Sequence, residues 1–208
     1  LDTVMGATDP MIKDYLGILR GQISLSEKIV ADLLDFARTR PPQCAPTDVA
    51  ALVRHQVDRL GPMGQVEVTY DFGDALPSAN IDPVQIGQVV FNLASNAVRY
   101  TVSGRVEIRA SAIEADGHSR LRIAVSDTGP GIDPAEREVI FERFRRGRAQ
   151  DGSTQGGLGL GLALCRENAR LMGGSITLES ALGVGSEFTF DCPAERVQVQ
   201  DRRLPFAG

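Results

Sequence analysis

Four short segments of this sequence carry residue types whose spacing suits chemistry. In Gln88–Thr101 (QVVFNLASNAVRYT), Asn92 and Asn96 stand four apart. On a helix that spacing puts both amides on one face, while Val89, Val90, Leu93 and Ala97 pack inward. Amide oxygens ligate hard cations such as Mg2+, and amide NH₂ groups donate to phosphate. In Ser126–Ile132 (SDTGPGI), Asp127 ends an alternating apolar run and two glycines follow. A carboxylate there can accept from the exocyclic amine of adenine, in a charge-assisted bond worth roughly 1.5–3 kcal/mol. The glycines let a ring come close. In Gln155–Ala163 (QGGLGLGLA), repeated glycines lead into a helix, so backbone N–H groups and the helix dipole can hold phosphate. No Lys-Ser/Thr follows and no strand immediately precedes, which excludes a Walker A loop and a dinucleotide fingerprint. Gly183–Phe188 (GVGSEF) reads as a tight hairpin. Singly, each has a plain alternative: solvent-facing Asn, an Asx–Gly turn, a bare glycine turn. Only their order and spacing together speak for one site.

The elements that must position these groups are legible from periodicity. Asp82 N-caps a helix from about Pro83 to Val98 that carries both Asn. A short helix spans Asp48–Leu60, and Val66, Val68, Tyr70 and Phe72 alternate as a strand. Strands are expected near Arg105–Ile113 and Leu121–Ser126, then a helix from Leu160 to Met172 and strands near Ile176–Ser180 and Ser186–Asp191. Residues 129–157 show no sustained period, and a loop that long inside a domain is usually functional. From Ala194 the chain reads as a loose tail. The order implies an α+β fold with helices on one face of a mixed sheet. Ahead of it, Asp9–Arg38 is helical: Ile12, Leu16, Leu19, Ile23, Ser26, Val30, Leu33 and Ala37 form a heptad seam, flanked by Tyr15, Ile18, Leu25, Ile29 and Phe36. So wide a stripe suits a helix bundle, most simply with a second copy of the chain. Pro41, Pro42 and Pro46 mark the boundary. The division is 1–45 helical, 46–194 the α+β domain and 195–208 the tail.

Composition sets the outer limits. The chain has 208 residues with 42% hydrophobic and a net charge of −5, enough for one core and without the basic face that nucleic acid would need. No apolar run is long enough to span a bilayer, and no signal peptide is visible, so no membrane contact is expected of this segment. The chain opens on Leu1 and reads as a fragment of a longer, cytoplasmic or membrane-anchored protein. Cys44, Cys165 and Cys192 are far apart, lack zinc spacing and suit a reducing compartment.

Together the segments resemble a family. From about residue 47 to 193 the chain looks like the catalytic, ATP-binding domain of bacterial sensor histidine kinases, with the Bergerat-type α/β sandwich that they share with gyrase, MutL and the ninety-kilodalton heat-shock chaperones. The Asn segment resembles the N box, DTGPGI the first glycine box, IFERF (Ile140–Phe144) the F box, GLGLGLAL the second glycine box and GVGSEF the last. The helix ending in DLLDFAR resembles the second helix of the dimerisation domain. By position, the resemblance implies that Asn96 ligates Mg2+ and that Asn92 and Arg99 assist at the phosphates. Tyr100 lies near the phosphates or ribose. Asp127 reads adenine, with Gly129, Gly131 and Ile132 beside it. Phe141 and Phe144 anchor a lid over 132–157. Gly157, Leu158, Gly159, Leu160 and Gly161 hold the phosphate tail. ATP, Mg2+, a response-regulator receiver domain and a homodimer through the bundle helix are the implied cofactors and partners.

Three features depart from the pattern or choose within it. Members that hydrolyse ATP resemble one another in a Glu at position 92 as general base; Asn92 cannot take a proton, which favours transfer to a protein side chain. Candidate cations for that transfer are Arg99, Arg143, Arg145 and Arg146, while Val139 stands where many relatives have an Arg. The acceptor His of a His-Glu-x-x-x-Pro helix has no counterpart: Met5 stands five residues before Pro10, and His55 and His118 lack acceptor context. The expected acceptor helix therefore lies upstream. The alternatives are a degenerate kinase used as an ATP-gated interaction module, and a superfamily ATPase.

Overall fold

A computed structural model describes residues 12, 15–19, 21–23, 40–73, 76–115, 117–145 and 159–197. Of the predicted bundle helix, residues 12, 15–19 and 21–23 are helical, and their large apolar side chains are exposed; the rest of that helix lies outside the described residues.

The α+β domain runs β1 (Ala45–Thr47), α1 (Val49–Asp58), β2 (Gln65–Asp71), β3 (Ala79–Ile81), α2 (Pro83–Tyr100), β4 (Ser103–Ala115), β5 (His118–Asp127), a single 3-10 turn (Val139–Phe141), α3 (Gly161–Leu171), β6 (Ser175–Ala181), β7 (Gly185–Pro193) and β8 (Glu195–Arg196). The main sheet has the order β2-β4-β5-β7-β6. Among the described strands only β2 and β4 pair in parallel, and the helix-bearing crossover that such a pair needs contains α2.

Register explains why the sheet has one apolar face. Ile108 pairs with Val125, Val125 with Phe188, and Phe188 with Leu178. One step along, Ala110, Ile123, Phe190 and Ile176 form a second row. A shift of one residue in any strand would send its apolar set to solvent, so burial fixes the pairing. The opposite face is polar: Arg109 is bonded to Glu107 and Glu187, and Arg120 to Asp191. Such partly exposed pairs contribute about 0–1 kcal/mol each and mainly keep that face wet.

The helices lie on the apolar face. In α1, Val49, Val53 and Val57 form a stripe; in α2, Ile86, Val89, Val90, Leu93, Ala94 and Ala97 do so. Burying a side chain such as Leu93 completely contributes roughly 1.5–3 kcal/mol. Asp48 and Asp82 cap α1 and α2 by accepting from Ala51 N and from Val84 N and Gln85 N. Among the described residues no helix is long and apolar enough to cross a membrane.

Two features differ from the sequence reading. A second sheet, β1-β3-β8, was not expected, because strands of two or three residues are too short to show alternation. It also corrects the loose tail: Ala194 is buried and β8 pairs with β3, while residues 198–208 lie outside the described ones.

Candidate functional site

Helix α2 presents Asn92, Asn96 and Arg99 away from its buried stripe, so the expected shared face exists. Asn92 faces the start of α3: a Cβ on Gly161 would lie 3.4 Å from Asn92 Oδ1. The same amide is hydrogen-bonded to the thiol of Cys165, which also donates to Val89 O. Burial pushes that thiol up to about 12, so Cys165 is a neutral core residue and not a nucleophile. Arg99 stacks on its neighbour Tyr100, whose ring is about half exposed.

Helix α3 begins differently from the other two. Leu160, its first flanking residue, is buried and gives no side-chain cap. Its N-terminal N–H groups thus lack the carboxylate that caps α1 and α2, and Gly161 leaves the approach beside Asn92 open. The side chain of Leu160 is core, so only its backbone can serve a ligand. Gly159 has a φ of +72°, and a Cβ there would come 2.3 Å from Arg145 O. Gly157 and Leu158 lie outside the described residues.

Asp127 closes β5 with the same parity as Leu121, Ile123 and Val125, hence on the helix side of the sheet. Burial pushes its carboxyl above the ordinary aspartate value, against hydrogen bonds from the backbone N–H groups of Gly129 and Ser186. The loop after it is fitted to the β6–β7 hairpin. A Cβ on Gly131 (φ +73°) would sit 2.1 Å from Ala181 O, and one on Gly185 (φ +139°) would sit 1.9 Å from Asp127 O. Gly183 N donates to Pro130 O. Ser180 Oγ accepts from Ile132 N and donates to Gly185 O. Ile132 itself packs half-buried against the core. The last glycine segment is therefore a tight hairpin and also the brace of the Asp127 loop.

The two phenylalanines expected to anchor a lid separate. Phe141 is buried edge-on against Phe188, with ring centroids 6.1 Å apart, and Arg166 lies over its ring. Phe144 is 63% exposed and has a φ of +61°. Among the described residues its ring has no burying partner; its backbone N–H donates to Gly159 O and so joins the two ends of the 145–159 stretch. Of the lid arginines, Arg145 pairs with Glu142, Arg143 acts on Glu167, and Arg146 lies outside the described residues.

No cluster of three His, Cys, Asp or Glu able to hold a metal occurs among the described residues. The donor set on α2 is amide oxygen, which suits a hard cation that keeps waters and arrives bound to phosphates, the usual manner of Mg2+. Sequence reasoning missed Ser180, Ser186 and Thr128. Thr128 Oγ1 accepts from Arg105 N, and a Cβ on Gly104 would meet that oxygen at 2.2 Å. A glycine directly before the predicted strand Arg105–Ile113 was the available signal for such a close approach.

The family described as histidine kinase-, DNA gyrase B-, and HSP90-like ATPase matches residues 81–196. The chain is 36% identical over 186 residues to the adaptive-response sensory kinase SasA of Synechococcus sp. (strain JA-3-3Ab), a match covering 86% of this chain and 48% of SasA. It spans about half the length of such curated relatives, or less. Full-length ShkA, solved in complex with AMPPNP, superposes with a TM-score of 0.76 at 33% identity, covering 92% of this chain and 41% of ShkA. ThkA, solved in complex with the response regulator protein TrrA, shares the fold, with a TM-score of 0.68 at 24% identity over 90% of this chain and 53% of ThkA. The chain belongs to the histidine kinase-, DNA gyrase B- and HSP90-like ATPase family, and within it to the catalytic domains of sensor histidine kinases.

Proposed function

We propose that the chain binds ATP with Mg2+ between α2, the end of β5 and the start of α3. It then serves as the catalytic core of a two-component kinase. The γ-phosphoryl group goes to a His on a dimerisation helix that this sequence does not contain, for relay to an Asp of a receiver domain. The observation that carries this reading is the meeting of Asn92 with Gly161. A helical amide stands beside a helix start that has a glycine and no side-chain cap, so backbone donors for phosphate and an amide side chain from a second element meet at one place. Asp127 supplies an acceptor for the adenine amine, with Gly129, Gly131 and Ile132 shaping its loop. Asn96 supplies an oxygen for Mg2+, and Arg99 a cation near the phosphates. When bound, Mg2+ offsets charge on the phosphates. Asn92 orients and cannot deprotonate water, so the site favours positioning over hydrolysis.

The remaining parts of the reading follow the same family logic. Tyr100 lines the ribose side. Gly157, Leu158, Gly159, Leu160 and Gly161 give backbone to the phosphate tail, and Phe141 fixes the base of the lid. The exposed apolar residues Ile12, Leu16, Leu19 and Ile23 suit a homodimer seam. The full protein works in the cytoplasm or anchored to a membrane facing it.

Binding of a fluorescent ATP analogue, with and without Mg2+, tests the core of this reading. The chain should bind more tightly with Mg2+, and Asp127→Asn should weaken binding about 10–100-fold, the equivalent of one charge-assisted hydrogen bond. A folded chain that binds no analogue would overturn it.

A further inference from the structure

Between the predicted bundle helix and β1 the chain passes through Arg40, Pro41, Pro42 and Gln43, and that passage converges on one carboxylate. Asp82 is 1% exposed. Its Oδ1 accepts from Val84 N at 2.9 Å and Gln85 N at 3.0 Å, which is all that capping α2 requires. Its Oδ2 faces the linker, accepting from Gln43 N at 2.7 Å and lying 2.9 Å from Arg40 Nη1. Arg40 Nη2 adds a longer bond to Oδ1 at 3.3 Å. Helix α2 returns the contact: Gln85 Nε2 donates to Arg40 O at 2.9 Å.

These bonds join the linker to the first turn of α2, the helix that carries Asn92, Asn96 and Arg99 further along. Pro41 and Pro42 have fixed φ and no N–H, so the segment they stiffen moves as a unit and not by local bending. Coupling between distant sites needs such a contiguous, discrete contact.

We propose that Asp82 is a positioning residue with two tasks: it caps the helix bearing the nucleotide-facing amides, and it latches the linker to that helix, so that nucleotide occupancy and linker position are coupled through α2. The coupling rests on the nucleotide reading above; the latch does not.

Residue-resolved amide hydrogen exchange on the full chain tests both parts, in wild type, Arg40→Ala and Arg40→Lys, each with and without a non-hydrolysable ATP analogue and Mg2+. Without nucleotide, the Gln43 amide should be protected in wild type and exchange about tenfold faster in Arg40→Ala. Arg40→Lys, which keeps the charge, should restore protection to within about threefold, while the Val84 and Gln85 amides stay unchanged in all three. The analogue should slow Gln43 exchange in wild type and not in Arg40→Ala, although that variant still binds it. A Gln43 amide that exchanges freely in wild type, or that ignores Arg40→Ala, overturns the latch. An analogue that binds and leaves Gln43 unchanged overturns the coupling. An analogue that binds none of the three proteins overturns the nucleotide reading and the coupling with it, and the nucleotide-free arm still decides the latch.

Discussion

Around Asp127 the backbone is held from several sides: Gly131 against Ala181, Gly185 against Asp127 itself, and Gly183 bonded to Pro130. Across the site, at the base of the lid, a bond from Phe144 N to Gly159 O joins Val139–Arg145 to the start of α3, and Gly159 packs against Arg145. Both walls exclude a methyl group, at Gly131 and Gly185 in the first and at Gly159 in the second; the second also carries an exposed ring on a left-handed backbone. The Asp127 corner is held by contacts within the fold itself. Of the two aromatic residues in Val139–Arg145, Phe141 is buried and Phe144 is exposed.

The contrast can be broken at either wall. Gly185→Ala should have the largest effect, a loss of about 4 kcal/mol, combining positive-φ strain with overpacking against Asp127 O. Denaturant unfolding measures it, and a loss below about 1 kcal/mol would mean the Asp127 corner yields after all. Phe141→Ala should cost about 3 kcal/mol in the same assay, since it empties a buried aromatic contact with Phe188. If Phe141→Ala and Phe144→Ala destabilise equally, the distinction between anchoring and exposed rings is lost.

Asp127→Asn sharpens the comparison by separating binding from stability. It should weaken analogue binding as stated above and leave the melting temperature unchanged or raised, because the carboxylate is held at a burial cost. A clear fall in melting temperature would make Asp127 structural.

Acid titration sets Asp127 against Asp82. At Asp82 burial pushes upward, but hydrogen bonds from Gln43, Gln85, Arg40 and Val84 outweigh it and hold the carboxyl below its usual value. A depressed folded pKa gives stability that is present above the unfolded value, about 3.9, and is lost as pH falls through the lower folded value. Asp82→Asn should therefore flatten the acid limb of a stability-against-pH curve. Asp127 has the opposite sign: its raised value makes its contribution decline as pH rises from the unfolded toward the folded pKa, and Asp127→Asn should remove that decline. Equal slopes for the two variants would refute the sign difference.

The smallest expected effect is at Phe144→Gly. Its ring is exposed and its φ is positive, so glycine should be neutral or stabilising by up to about 1 kcal/mol. Destabilisation beyond that, measured by thermal melting, would show that the ring has a packing partner.

The elements that carry the site were legible because their signals are local. Asp82 before Pro83 announced the start of α2, and the apolar steps through Ile86, Val89, Val90 and Leu93 announced its buried face. Alternation in Leu121, Ile123 and Val125 put Asp127 on the helix side of β5. The short strands β1, β3 and β8 carried no such signal, since two or three residues hold no period, and the tail from Ala194 was misread for that reason.

Caps, stripes and strand parity depend on residues within about four positions of one another, so they can be read directly along the chain. Contacts between distant segments depend on how the elements pack, and folding in three dimensions makes that choice. It set Asn92 against Gly161, buried Phe141 while leaving Phe144 in solvent, and gave the second oxygen of Asp82 to Arg40 and Gln43. The physical reason is range: a helical face is written in a few neighbouring side chains, whereas its partner is chosen by the burial and hydrogen bonding of the whole domain.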